Sequence, residues 1–362
     1  LLCYWCFGYG AWLCLALMLA AGIIAHHQKL SALLAAGILL LPATQYPATT
    51  WWSKPDLDRE YVLSLDVEHY FGNIQKMRKH LETDRQILWV TYYRNLYNAT
   101  HPSEINSPVS LSRNLLAWNQ PGTNGLILPV NPSASFLSIL FANELWFTLG
   151  DMTMAEHCAM LSMIFSPRNS GSRMIKRLAE INLVNGDDEA ALKYLRILDK
   201  TLLHKSWAEK RIPGQQTPRV KEWLEKKRRD IPTQDHLRSG NDAVTSLRNL
   251  VASNAGNLRA YEYLLCYHLL SKDLRSFVED YVPGKVSSSI FAEALLIHLA
   301  RQGNIRAEEL IKYQIPVKIA KEFADYTRLY EAKDTSLKEK YGKTYWFYYH
   351  FATTEPGKES KP

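Results

Sequence analysis

Arg173, Lys176, Arg177 and Glu180 stand at i, i+3, i+4 and i+7, a spacing that puts all four on one face of a helix. Three cations and an acid so placed can grip a carboxylate or an acidic peptide through charge-assisted hydrogen bonds. The ordinary alternative is a solvated basic face, since exposed charge on helices is common. On the docking reading, reversing Arg173, Lys176 and Arg177 to Glu should abolish capture of a partner and leave the melting temperature nearly unchanged. Asn119 and Gln120 open a second candidate, the loop Asn119–Ser135. It carries Pro121, Gly122, Gly125, Pro129 and Pro132, and no helix survives that composition. Long ordered loops tend to carry function, so these two amides join the four helical residues as candidate partner-binding groups.

Other reactive residue types fall in weaker patterns. Asp66 and His69 share a helical face next to Glu68, but no third ligand stands at metal-binding spacing and His-Glu-x-x-His is absent. Solvated or hydrogen-bonded polar residues are the expectation there, with no metal and no cofactor. Gly122-Thr123-Asn124-Gly125 matches a bare Gly-x-x-Gly, as in RNA-clamping loops, yet proline flanks it and no basic residue is near, so a turn is expected. Asn98-Ala99-Thr100 is a glycosylation sequon by pattern alone. Arg219–Arg229 reads RVKEWLEKKRR, with Val220, Trp223 and Leu224 as a narrow apolar stripe. Such a helix either docks by its Trp or lies on an anionic membrane surface. Glu293 and His298 pair an acid with an imidazole, but no nucleophile elbow, phosphate loop or dinucleotide fingerprint occurs, and no enzymatic activity is expected.

The elements that would position these residues begin with a membrane region, residues 1–54. Leu1–Ala25 holds no charged residue, and Lys29 is the only Lys, Arg, Asp or Glu before Lys54. An uncharged apolar stretch of about 18 residues or more is long enough to cross a bilayer as a helix. Two spans are expected, about 1–25 and 30–50, separated by His26-His27-Gln28-Lys29 and closed by Trp51, Trp52 and Lys54. The lack of a basic start and the second apolar run argue against a cleaved signal peptide. The lack of an initiating Met points to a fragment with further spans upstream. One Lys and two His in the hinge favour a cytoplasmic hinge, which places the bulk of the chain on the periplasmic side of an inner membrane.

The remaining residues, 55–352, form the main domain, and the polar segment 353–362 reads as a disordered tail. The chain of 362 residues carries +7, and removing Lys29 leaves +6 from Lys54 onward, too mild and too interspersed to argue for nucleic acid. Cys3, Cys6 and Cys14 lie in the first expected span, Cys158 and Cys266 among apolar neighbours, and all five read as small buried hydrophobes. Helical periodicity dominates throughout and no alternating strand run appears.

Gly150-Asp151 and Gly186-Asp187 lie 36 residues apart, each between two apolar helical stretches: Phe136–Leu149 with Met152–Phe165, and Arg173–Asn185 with Asp188–Leu203. Ala155 and Ala191 follow each glycine at the same distance. This arrangement resembles the tetratricopeptide repeat, a helix–turn–helix unit of about 34 residues. The resemblance places Ile175, Leu178, Ala179, Ala191, Leu195 and Leu198, and Ile139, Trp146, Ala155, Ala159 and Pro167, at core positions. It places Arg173, Lys176, Arg177 and Glu180 on the concave face, where such repeats bind peptides. Asn143 departs from the small residue that the family carries there. Weaker echoes are Arg59–Phe71 with Asn73–Leu81, Leu258–Leu270 with Leu274–Tyr281, and Ser288–Arg301 with Ile305–Tyr313. A helix Val317–Ala332 and a capping segment Tyr345–Phe351 complete the expected all-α fold, a right-handed α-solenoid behind transmembrane helices.

Further residues resemble an uncharacterised bacterial family of polytopic membrane proteins with a tetratricopeptide-like half. They are Asn119-Gln120-Pro121-Gly122 with Gly125-Leu126, Arg177-Leu178-Ala179-Glu180-Ile181-Asn182, Lys193-Tyr194-Leu195, Trp207-Ala208 and Tyr261-Glu262-Tyr263-Leu264-Leu265. That resemblance carries no activity over; the helical repeats behind an apolar N-terminal region point to a membrane-anchored scaffold binding a protein or peptide, with the lipid bilayer as its other partner. The alternative is an envelope enzyme or transporter acting on a glycan or lipid-linked substrate, with the helical part as its recognition domain. Tyr92, Tyr93, Tyr97, Trp118 and Trp207 would then stack on sugars.

Overall fold

A left-handed residue followed by an N-capping side chain turns one helix into the next at three places in this chain, 150–151, 186–187 and 272–273. The computed structural model describes residues 54–82, 87–100, 123, 125–128, 130, 135–166, 171–234 and 243–352, with side chains from Leu57 onward. The two expected spans, Trp118, Asn119, Gln120, Pro167 and the tail 353–362 lie outside the described residues. No described helix is long and apolar enough to cross a membrane. Every regular element among the described residues is a helix.

The chain divides into two compact units, Leu1–Gly72 and Asn73–Pro362. The first contributes one described helix, α1 (Lys54–Tyr70). It carries Asp66, Glu68 and His69, and among the described residues no group of three His, Cys, Asp or Glu could hold a metal ion.

In the second unit α2 (Ile74–Leu81) and α3 (Leu88–Thr100) pack together, and the buried Arg94 of α3 donates from Nε to Leu81 O at 3.2 Å, closing the C-terminus of α2. The described part of the Pro/Gly loop threads into this core: Leu126, Leu128 and Val130 are buried, Asn95 donates to Gly125 O and Tyr263 to Leu126 O. Those contacts make this stretch of the loop a packing element.

Two hairpins of the same construction follow: α4 (Phe136–Leu149) with α5 (Met152–Phe165), and α6 (Ser172–Asn185) with α7 (Asp188–Asp199). At the first turn Gly150 adopts φ +92°, Asp151 N donates to Trp146 O at 3.0 Å, and the Asp151 carboxylate accepts from Met154 N at 2.9 Å. At the second, Gly186 adopts φ +82°, Asp187 N donates to Asn182 O at 2.9 Å, and the Asp187 carboxylate accepts from Ala190 N at 3.0 Å. The glycine ends one helix in the left-handed region while the aspartate caps the next. α5 and α6 also pack on each other, so the two hairpins lie side by side.

Leu178, Ala179, Ala191, Leu195 and Leu198 are buried as the spacing predicts, as are Ile139, Trp146, Ala155 and Ala159, while Ile175 packs half-buried against the same cluster. Ala191 is fully enclosed. Ala191→Trp should lower stability by about 1–3 kcal/mol or more through overpacking, measured by chemical denaturation; an unchanged midpoint would mean the position is open.

Two expected elements end differently, and one helix forms that the sequence did not announce. α7 stops at Asp199 and not at Leu203, because the Thr201 hydroxyl donates to Leu198 O at 2.7 Å and accepts from His204 N at 3.2 Å, closing a turn. The helix expected over Ile305–Tyr313 is the single turn and a half Ala307–Lys312. A helix without sequence signal, Ala243–Ser253, owes its formation to the burial of Leu247 and Leu250 against Leu258–Leu270, since Val, Thr and Ser are weak helix formers. Counting on from α7, α8 is Lys205–Glu209, α9 Pro218–Arg228, α10 Ala243–Ser253, α11 Leu258–Leu270, α12 Leu274–Asp280 and α13 Ser289–Arg301. The last four are α14 (Ala307–Lys312), α15 (Val317–Glu331), α16 (Leu337–Tyr341) and α17 (Tyr345–Phe351).

The turn between α11 and α12 repeats the hairpin device with Lys272 at φ +59° in the glycine's place and Asp273 as the cap on Ser276 N. At the end of the unit α17 covers α13. Tyr345 and Tyr348 donate their hydroxyls to Leu269 O and Leu270 O, and Trp346 donates from its indole to Glu293 O. Cys158 and Cys266 are buried and free, and burial pushes the Cys158 thiol up to about 12.

Glu293 is the buried acid of this cap. Burial pushes its carboxyl up to about 7 against a bond from Tyr345 N at 2.6 Å that favours the charged form. The folded chain therefore holds this proton more tightly than the unfolded chain, whose ordinary value is 4.5. Stability should fall as pH rises through the window from about 4.5 to about 7, by at most ~3 kcal/mol. Denaturation across that window should show the slope in the native chain and its loss in Glu293→Gln; equal slopes would contradict the assignment.

Candidate functional site

Glu144 is the organising residue of the site. In α4 it is the single charged group of the stretch FLSILFANELWFTL, and a carboxylate enclosed among such side chains must find partners. It finds them on α6. Oε1 accepts from Arg173 Nη2 at 2.8 Å and Oε2 from Arg177 Nη2 at 2.6 Å. Arg177 continues the network, donating from Nε to Asn143 Oδ1 at 2.8 Å and from Nη1 to Glu180 Oε2 at 2.9 Å. Its guanidinium lies 3.8 Å from the centre of the Phe147 ring. Asn143 is fully buried and donates from Nδ2 to Ala155 O at 2.6 Å, so one amide joins α4, α5 and α6. Its departure from the small residue of a tetratricopeptide unit is thus a structural joint.

The four sequence-predicted residues separate into two environments. Arg173, Arg177 and Glu180 belong to the Glu144 network, where two cations meet two acids. Reversing Arg173 and Arg177 would set new carboxylates against buried Glu144. The expectation that the triple reversal leaves the melting temperature unchanged therefore does not hold, because these arginines pair inside the fold.

Lys176 faces elsewhere. Its Nζ stands 5.1 Å from the Trp207 ring centre and Arg211 Cζ stands 4.1 Å from it, with Arg211 donating from Nη1 to Trp207 O. Burial lowers the Lys176 pKa, with Arg177 and Arg211 adding to the shift and Glu180 opposing it. Burial likewise lowers Arg211, against Glu180 and with Arg219. His204, which meets Ser172 Oγ at 3.2 Å, is lowered by burial and then by Lys176. Here Lys176 and Arg211 gather around one indole, with Glu180 as an opposing charge.

The basic segment RVKEWLEKKRR, most of it in α9, turns its Trp and Lys227 inward, and Arg228 reaches back to a helix end. Trp223 stacks on Phe147 with ring centres 6.3 Å apart. Lys227 donates to Phe147 O at 3.3 Å, and Arg228 to Val184 O at 3.0 Å and Leu183 O at 2.8 Å. These are terminal carbonyls of α4 and α6, the negative ends of both helix dipoles. Burial, with Arg259 and Arg177 nearby, brings Lys227 down to about 8. Of the six cations in this segment, Lys227 and Arg228 close helix ends, and its Trp is spent on packing against Phe147.

The same end of α4 is clamped from the second half of the chain. Asn257 donates to Leu149 O and to Asp230 O, both at 2.7 Å, while its Oδ1 caps α11 through Ala260 N. Arg259 donates to Thr148 O and pairs with Asp230. Sequence reasoning missed Glu144, Arg211 and Lys227 as members of the site, and singled out Trp207 only as a sugar-stacking aromatic. For Glu144 a signal existed, a lone charge in an apolar helix; the others depend on contacts that spacing does not encode.

These features define an all-helical protein of paired helices, locked by a buried ion-paired seam and carrying a cationic aromatic shelf beside it. The chain belongs to a family of unknown function (DUF6057), whose profile matches residues 30–352, from the second apolar run to the end of α17. No curated protein and no solved structure matches it.

Proposed function

We propose that this protein is a membrane-anchored helical-repeat scaffold, a tetratricopeptide-like right-handed stack of hairpins, that docks an acidic protein or peptide segment. The uncharged stretch Leu1–Ala25 and the run after Lys29 supply the anchor, with the helical part on the periplasmic side of a bacterial inner membrane. The two hairpins with matching Gly-Asp turns supply the rigid curved surface. The observation that carries the docking role is the shelf of Lys176 and Arg211 against the Trp207 indole. A peptide carboxylate set there gains charge-assisted bonds and an apolar floor for its stem. Arg173, Arg177 and Glu180 act on this reading by fixing α6 beside α4. Asn119 and Gln120 remain part of the proposed docking surface.

Binding of acidic peptides to the full-length protein in nanodiscs tests this reading. Lys176→Gln with Arg211→Gln should weaken binding at least about tenfold, since a hydrogen bond to a charged group is worth ~1.5–3 kcal/mol, and added salt should weaken it further. Equal binding of acidic and basic peptides, or no response to the double change, would refute it.

A further inference from the structure

Leu202 and Leu203 are 97% and 86% exposed, side by side in the turn that follows α7. Their exposure is held by specific bonds: Thr201 closes the turn on both sides, and His204 meets Ser172 at the start of α6. Ile164 and Phe165, also exposed, end α5 a short connection before that same Ser172. Four large apolar side chains thus stand open at one end of the paired hairpins, an arrangement that water alone does not favour.

The surrounding charge indicates what covers them. Between residues 196 and 211 stand five cations, Arg196, Lys200, Lys205, Lys210 and Arg211, against two acids, Asp199 and Glu209. Lys200, Lys205 and Lys210 are exposed. Apolar side chains that enter the acyl boundary, ringed by lysines at headgroup level, suit an anionic bilayer surface. In the other basic segment, α9, Lys227 and Arg228 are committed to the ends of α4 and α6, and Trp223 stacks on Phe147, so its largest apolar side chain is not offered to a bilayer.

We infer that the Leu202-Leu203 turn docks this end of the hairpin pair on an anionic lipid surface, a second membrane contact besides the anchor. The inference takes its setting from the membrane-anchored reading, and the test separates the two. Full-length protein carrying p-benzoylphenylalanine in place of Leu203 is reconstituted in vesicles of phosphatidylcholine with phosphatidylglycerol and irradiated. A control carries the same group in place of Glu189, at the opposite end of α7. The expected result is a lipid adduct several-fold more abundant from position 203 than from 189. It should fall several-fold in pure phosphatidylcholine and in Lys200→Glu with Lys205→Glu.

No excess lipid adduct in a chain that survives an alkaline wash of the vesicles overturns the docking turn and leaves the anchor standing. A chain washed away without an adduct overturns both. An adduct to a second copy of the chain or to another protein overturns the lipid assignment.

Discussion

Arg177→Glu lowers folding stability by about 4 kcal/mol or more, while Lys176→Gln at the neighbouring position, which faces Trp207, costs less than about 1 kcal/mol. The contrast follows from what each residue touches. Arg177 joins Glu144, Asn143 and Glu180 at 2.6–2.9 Å with its side chain only 12% exposed. Its reversal leaves the Glu144 carboxylate facing a second carboxylate in a site that water barely reaches. Lys176 lies against the Trp207 indole and takes no part in the Glu144 bonds that Arg173 and Arg177 make. Denaturant midpoints of the two variants measure the difference. Combining Arg177→Glu with Glu144→Arg should recover part of the loss, a coupling of up to ~3 kcal/mol. Additive effects would mean that the pair does not interact.

A second large contrast lies between two glycines with the same backbone. Gly150→Ala should cost about 3 kcal/mol or more, and Gly186→Ala about 1 kcal/mol. Both occupy the left-handed region, at φ +92° and +82°, so both substitutions carry the strain of a Cβ there. A Cβ at Gly186 meets open space, whereas one at Gly150 would lie 2.2 Å from Asp230 O. That carbonyl is also the acceptor of Asn257, which holds the end of α4 to the start of α11. The alanine must therefore displace the segment that joins the two halves of the unit. Thermal or urea unfolding of both variants decides the point, and equal losses would mean that the 230 segment yields without cost.

What the sequence disclosed is what local chemistry controls. The glycine–aspartate turns were legible because a residue that ends one helix and a residue that caps the next stand side by side, and small residues at fixed distances marked the packed faces. The end of α7 was not legible, since one Thr201 hydroxyl overrides a continuing apolar pattern. The pairing of Arg173 and Arg177 with Glu144 joins positions 29 and 33 residues apart, so a basic helical face and a neutralised one read alike in one dimension. The same holds for RVKEWLEKKRR, whose cations find helix ends 80 and 44 residues upstream. Ala243–Ser253 mixes good helix formers with Val, Thr and Ser, and Leu247 and Leu250 packing into the core decides its form.

Crosslinking of the full-length protein in its native membranes, followed by mass spectrometry, tests the scaffold reading most directly. The native chain is compared with Lys176→Glu combined with Arg211→Glu, after both are shown to unfold at the same denaturant concentration. The account predicts one specific protein crosslinked to residues 172–211 through an acidic segment, and its loss in the variant. Capture of lipid or glycan species alone, or a protein retained equally by both chains, would contradict it and move the working part of the molecule to its apolar N-terminal region.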